Sequence, residues 1–264
     1  MKTAFLTTVF PMNESFLDDF FESLQKQTYE IFDVIVVNDG YENLERLKRT
    51  YSQTLNIIEL PYSNTPAKNR EYGINYCIDN NYDILIFGDS DDYFQSNRIE
   101  ESIGLLKDND IVVNDLSLFD ENGIYEETYI SNRIKNNSII DFDFIRNKNI
   151  FGLSNTAILL TDIMKIEIPD DLIAVDWYIF SLFLLNNKKA IFTNDTISFY
   201  RQHQENTVGL KSLDLESLKR GMDVKKRHYK KLNLIKNIFD REIDSIELKI
   251  KDKNISYPLW WELI

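Results

Sequence analysis

The segment Asp83-Ile84-Leu85-Ile86-Phe87-Gly88-Asp89-Ser90-Asp91-Asp92 decides the fold. An unbroken apolar run that stops at a glycine and a group of carboxylates describes a strand buried on both faces and ending at a polar edge. Continuous rather than alternating apolarity belongs to parallel sheets covered by helices.

Reading outward, Ala4 to Phe10, Phe32 to Val37 and Asn56 to Leu60 repeat the pattern. Helical segments separate them. Asn13 or Ser15 caps a helix running to about Gln27, whose core face is Phe16, Leu17, Phe20, Phe21 and Leu24. Residues 43–51 form another, and Thr65-Pro66 opens a third with proline suited to its first turn. This alternation predicts an α/β fold with a mostly parallel central sheet flanked by helices. Ligands of such sheets collect at the carboxyl ends of the strands. Thr8, Asp39 and the Asp89–Asp92 cluster all fall there.

Further on, Asp110 to Asp115 and Ile124 to Ile130 read as strands, residues 141–148 as helix and Thr156 to Leu160 as extended. Asp176 to Leu185 is an apolar helix; Ala190 to Thr193 and Thr196 to Tyr200 are strands. Asp214 to Phe239 is a charged helix, and Tyr257-Pro258-Leu259-Trp260-Trp261-Glu262 an aromatic tail. The expected division is a main domain over residues 1–210, in halves 1–110 and 111–210, and a small C-terminal helical extension over 211–264.

The 264 residues carry 43 acidic and 30 basic side chains, a formal charge of −13 that disfavours nucleic acid as a partner. The single cysteine, Cys77, has no internal disulfide partner and reads as a core thiol. The apolar N-terminal stretch is too short for a signal peptide, and no window is long enough for a membrane span, so a cytoplasmic protein is expected.

Asp89, Asp91 and Asp92 crowd three carboxylates at one strand end, an arrangement that a cation relieves. Hard oxygen ligands suit Mg²⁺ or Mn²⁺, and such an ion can bridge a diphosphate. The same residues also suit a solvated turn capping the next helix. Asn38-Asp39-Gly40 can be an ordinary turn, or can offer Asp39 to the N–H of a base.

On these residues the chain resembles the inverting family-two glycosyltransferases with the GT-A, Rossmann-like fold, over roughly residues 3–210. Thr7-Thr8-Val9-Phe10-Pro11 resembles the family's first strand and nucleotide loop, and Gln25 to Thr28 with Phe32 to Gly40 its second-strand passage. Asp39 then corresponds to the carboxylate that recognises a uracil-type base. Thr65 to Ile74 resembles a donor-binding segment that brings Lys68, Asn69 and Arg70 to the nucleotide, with either Lys68 or Arg70 facing the diphosphate. Asp89-Ser90-Asp91-Asp92 matches the metal-binding D-x-D element. The resemblance makes Asp91 the metal ligand, puts Asp89 near the ribose and gives Asp92 a supporting place at the metal.

Val175-Asp176 stands where the family has its E-D element, with valine in place of glutamate; the resemblance makes Asp176 the base that deprotonates the acceptor hydroxyl. Tyr200 to Asn206 resembles a loop that closes over the diphosphate, with Arg201 neutralising phosphate and His203 completing the metal shell or touching phosphate. The implied activity is transfer of a sugar from a nucleotide-diphosphate donor, UDP by default, to a glycan or lipid-linked acceptor, with inversion and with Mn²⁺ or Mg²⁺, in cell-surface polysaccharide synthesis. The residues 1–110 would hold the nucleotide and 111–210 the acceptor.

Two rival classes stand beside this one. A nucleotidyltransferase should carry a Gly-rich phosphate loop, and Thr7 to Glu14 has no glycine. A non-catalytic relative would bind a nucleotide sugar or scaffold an assembly. The basic stretch 219–231 suits a solvated helix face or peripheral contact with anionic lipid at the inner face of the membrane. His228 within it reads as solvated. Trp260 and Trp261 suit packing onto the core, stacking on an acceptor sugar, or a homodimer contact.

Overall fold

A computed structural model of the chain describes residues 1–203, 215–245 and 259–262. The stretches 204–206 and 257–258, read above as parts of motifs, lie outside the described residues, as does the start of the charged helix at Asp214.

The first half follows the reading. Strands β1 (Thr3–Val9), β2 (Asp33–Asn38), β3 (Asn56–Pro61) and β4 (Ile84–Phe87) pair in parallel, in the order β3-β2-β1-β4. Helices α1 (Glu14–Gln25), α2 (Leu44–Tyr51) and α3 (Pro66–Asp79) cross between them. The Asn13 Oδ1 accepts from the Ser15 amide at 3.1 Å and the Thr65 Oγ1 from the Lys68 amide at 3.3 Å, so each helix begins where a side chain satisfies an orphan N–H.

Beyond β4 the sheet is mixed rather than mostly parallel. The order continues β9 (Thr156–Leu159), β6 (Ile111–Asp120), β10 (Ala190–Arg201) and β5 (Tyr93–Phe94); β9 runs antiparallel to β4 and β6, and β10 is parallel to β6. The short strand β7 (Gly123–Glu126) folds back on β6, and β8 (Ile139–Ile140) lies along β10. The β6–β7 turn is too short for a crossover, so that pair must be antiparallel.

Other elements also depart from the sequence reading. The segment expected to be a strand up to Ile130 ends at Glu126, because the amides of Ile130 and Ser131 turn back to the Asp115 carboxylate. The helix expected over 141–148 is only α5 (Phe142–Ile145). The two strands expected near 190–200 are one strand with an irregularity between Thr193 and Ile197. The charged helix ends as α7 (Leu215–Asn233), where the Asn233 Oδ1 takes the amides of Ile238 and Phe239 before α8 (Asp240–Ser245). Helix α4 (Arg98–Leu105) was not foreseen; α6 (Val175–Leu185) begins one residue early.

The apolar strands alternate faces. Phe5, Val34, Val36, Ile84 and Ile86 pack beneath α1, α2 and α4, while Leu6, Ile35, Val37, Leu85 and Phe87 pack beneath α3 and α6. Cys77 is wholly buried on the second face, and desolvation pushes its thiol up to about 12, as a core thiol should behave. Among the described residues no helix is long and apolar enough to cross a membrane.

His228 is not solvated. Its ring stacks on Trp177 with centroids 3.8 Å apart and planes 11° apart, and it is 1% exposed. Charge along α7 hid this: a helix so rich in lysine and arginine still turns one stripe, Val224, His228, Tyr229 and Leu232, onto α6. Burial depresses the His228 pKa well below its ordinary value, with Lys225 adding to the effect.

Because the unfolded chain takes up a proton near pH 6.5 and the folded chain does not, the neutral ring stabilises the fold above that pH and the contribution is lost on acidification. Stability should fall, by on the order of 1 kcal/mol for this group, between about pH 7.5 and about pH 5.5. Urea denaturation at the two pH values, compared between the native chain and His228→Phe, checks it: the variant should lack that part of the pH dependence.

Candidate active site

The site starts at the glycine after β4. The Gly88 amide donates to the Leu6 carbonyl at 3.1 Å, and a Cβ there would sit 2.4 Å from the Phe5 ring and 2.7 Å from that of Phe94. Only glycine lets the chain turn so closely over β1. The turn is then pinned on both sides: Ser90 Oγ donates to the Thr8 carbonyl at 2.8 Å, and the Asp89 amide donates to Ser154 Oγ at 3.0 Å.

Asp92 points inward and is wholly buried. It accepts from Ser154 Oγ and, at 2.7 Å, from the Arg201 amide at the end of β10. Burial first, then the charges of Asp91 and Asp89, raises its pKa well above the usual carboxylate range. Beneath it, the fully buried Arg98 donates to the Phe87 carbonyl at 2.5 Å and to Asn114 Oδ1 at 3.2 Å, against the Phe94 ring.

Asp92 turns in, while Asp91 lines the cavity side of the loop. Its Oδ2 lies 2.9 Å from His203 Nε2, and the pair separates a cavity of 470 Å³ from a neighbouring cleft of 570 Å³ lined by Phe10, Met12 and Phe16. The 470 Å³ cavity lies over the strand ends. One wall consists of Thr8, Asp39, Asn69, Arg70 and Asp89. Asp39 accepts from Ser63 Oγ and from Asn69 Nδ2, the latter at 2.8 Å, which fixes its carboxylate while leaving lone pairs for a ligand. Arg70 approaches Asp89 at 3.5 Å. Burial outweighs that guanidinium and raises the Asp89 pKa.

Asp176, Leu172, Ile173, Tyr200, Trp260 and Trp261 also line this cavity. Asp176 stands in the first turn of α6, where its Oδ1 accepts the Trp177 amide at 2.7 Å. Desolvation by the apolar wall raises its pKa to about 7, against the lowering pull of that amide and of Arg70.

Eight of the residues singled out from the sequence therefore meet in one cavity: Thr8, Asp39, Asn69, Arg70, Asp89, Asp91, Asp176 and His203. Three lie elsewhere. Lys68 turns to Glu71 at 2.8 Å and to Asp170 at 3.5 Å, and of the two basic residues Arg70 lines the cavity. Asp92 lies behind the wall. Arg201 spans Asp19 at 2.6 Å and the Asp91 carbonyl at 2.7 Å, with its guanidinium over the Phe16 and Phe119 rings. Ser154 and Arg98 were missed. Neither lies in a recognisable motif, and each matters only through partners distant in sequence.

Among the described residues no three His, Cys, Asp or Glu side chains converge on one point. The Asp91–His203 pair nonetheless suits a divalent ion in its donor chemistry: one carboxylate and one imidazole reach the cavity together.

A family model, Glycosyl transferase family 2, matches residues 8–163, and the chain belongs to that family. No curated protein matches in sequence. Among solved structures, residues 1–349 of S. aureus TarS in complex with UDP-GlcNAc align at TM-score 0.63 and 17% identity, covering 93% of this chain and 70% of that one. The longer S. aureus TarS chain is matched at TM-score 0.62 and 16% identity over 94% of this chain, which spans only 42% of its length. The mannosyltransferase PcManGT from Pyrobaculum calidifontis, with GDP-Man and Mn²⁺, aligns at TM-score 0.59 and 13% identity, covering 94% and 70%. At such identities the likeness is one of fold, and the fold is GT-A.

Ser154→Ala should strand two groups at once, the Asp89 amide and one Asp92 oxygen. The expected cost is about 1–3 kcal/mol in urea denaturation. Near-native stability would mean that the loop holds itself without this hydroxyl.

Proposed function

We propose that the chain is an inverting glycosyltransferase that moves a sugar from a nucleotide-diphosphate donor, a UDP-sugar, to a hydroxyl of a glycan or lipid-linked acceptor. One observation carries this reading. Asp39, Arg70 and the Asp91–His203 pair line the same cavity as a half-buried carboxylate, Asp176. The family match and likeness to structures holding UDP-GlcNAc or GDP-Man support the same reading.

Asp39, held by Ser63 and Asn69, would accept an N–H of the base and leave the diphosphate beside Arg70. Asp91 and His203 would hold Mn²⁺ or Mg²⁺, which supplies positive charge to the departing diphosphate when bound. Asp89, beside Arg70, would face the ribose. Asp176 would take the proton of the acceptor hydroxyl as its oxygen attacks the anomeric carbon from the face opposite the leaving group. A carboxylate raised to about 7 is a stronger base than an exposed one, yet remains half-ionised near neutrality.

Calorimetric titration with UDP should show binding that requires Mn²⁺ and disappears in Asp91→Ala. A folded native chain that binds no nucleotide diphosphate would refute the donor site.

Because only ionised Asp176 can accept a proton, kcat/KM should rise with pH and level off above about 7. Asp176→Asn should keep UDP affinity but lose roughly 10²–10⁴-fold in turnover and lose that rising limb. Product of retained configuration would exclude the displacement altogether.

A further inference from the structure

The part of the cavity lining that includes Asp176 contains more than a base. Trp260 lies against the bare backbone of Gly152, where a Cβ would come within 2.6 Å of its ring, and meets the Tyr200 ring edge-on at 5.6 Å. The Asn149 amide donates to the Trp260 carbonyl at 2.7 Å, and Arg133 grips Glu262 through both guanidinium nitrogens. Between these anchors Trp261 is held at φ 61°, a left-handed conformation that a bulky side chain adopts only under constraint. Both indoles line the cavity, with Leu172 and Ile173 beside them. Trp260, only 5% exposed, backs the half-buried Trp261, and Trp261 with the exposed Ile173 gives a fixed aromatic and aliphatic edge of the kind against which the C–H face of a pyranose rests.

Arg220 lines the same cavity. It stands on α7 seven residues before Arg227, so the two share a face of the helix about two turns apart. Arg227 donates to the Asp171 carbonyl at 3.2 Å, which places that face alongside the Leu172–Ile173 wall. The other cavity arginine, Arg70, lies 3.5 Å from Asp89, on the part of the lining proposed for the donor. Arg220 is exposed and has no ion pair among the described residues. In a protein of charge −13, an exposed guanidinium in a cavity already holding four carboxylates, Asp39, Asp89, Asp91 and Asp176, is a local reversal of sign.

We infer that Trp260, Trp261 and Arg220 form an acceptor subsite for a saccharide bearing an acidic group, a phosphate or a carboxylate. The Trp261 indole, backed by Trp260, holds the ring and Arg220 holds the anion. This rests on the glycosyltransferase reading, in that the bound saccharide is the acceptor whose hydroxyl Asp176 deprotonates. Selection for an acidic acceptor follows from the pairing of charge and stacking surface, since a neutral sugar would leave the guanidinium unused.

The chain has three tryptophans, Trp177, Trp260 and Trp261, so uniform 5-fluorotryptophan labelling gives a readable ¹⁹F spectrum. Trp177, fully buried, serves as the internal control. Trp260→Phe and Trp261→Phe assign the other two signals. The full chain, with Mn²⁺ and UDP present, is titrated with glucose 6-phosphate, glucuronate, glucose and inorganic phosphate.

The two acidic sugars should shift the Trp260 and Trp261 signals and bind at least about tenfold more tightly than glucose. The phosphate and carboxylate arms separate the two anion types. Arg220→Gln should abolish that preference, leaving weak glucose binding and calorimetric UDP affinity unchanged. Equal binding of glucose and the acidic sugars would overturn the subsite, as would a preference that survives Arg220→Gln. Loss of UDP affinity in Arg220→Gln, with acidic-sugar binding intact, would move Arg220 to the donor diphosphate and overturn it too. If the native chain binds acidic sugars at these tryptophans but no UDP, the transferase reading fails while the subsite stands.

Discussion

The site depends on one buried carboxylate. Asp92 joins the loop after β4 to Ser154, which precedes β9, and to the Arg201 amide at the end of β10. These segments are 62 and 109 residues away along the chain, and nothing local brings them together. A carboxyl group withdrawn so completely from water is tolerable only with its oxygens hydrogen-bonded, so the three segments are held in one arrangement. Arg98 lies just below, and its charge acts on Asp92 and Asp89 from the protein side of the loop.

Consequences spread outward from there. Asp92 is turned in, while its neighbour Asp91 lines the cavity. The end of β10, fixed by the Arg201 amide, sets His203 two residues on against Asp91. The Arg201 side chain carries the tie further, clasping Asp19 on α1 and packing between Phe16 and Phe119. An arginine foreseen as a phosphate ligand thus becomes a brace between α1, the acidic loop and the last long strand. Its planar guanidinium suits this role, since it can stack on rings and donate hydrogen bonds at the same time.

The sheet divides the labour. Its parallel half brings Thr8, Asp39, Asn69 and Arg70 to one rim, because parallel strands with helical crossovers all end on the same side. Its mixed half carries α6 with Asp176, and the tail returns to lay Trp260 and Trp261 beside it. Polar side chains from the one half and aromatic ones from the other therefore line a single cavity.

The strands β1 to β4, the caps of α1 and α3, and the positions of Asp39, Asp91 and Asp176 were determined by the sequence itself. Each is written in a short local pattern: an apolar run, a capping residue, a carboxylate at a strand end. Tertiary structure alone decided that Asp92 faces inward while Asp91 faces out, that Arg70 rather than Lys68 reaches the cavity, and that His228 is buried against Trp177. In each case residues of like charge or polarity lie close together in the chain. What separates them is a partner far away in sequence: Ser154 for Asp92, Asp170 alongside local Glu71 for Lys68, Trp177 for His228. Local pattern reports which residue types are present; which way each one faces is set by long-range packing, and the chemistry of the site follows from that orientation.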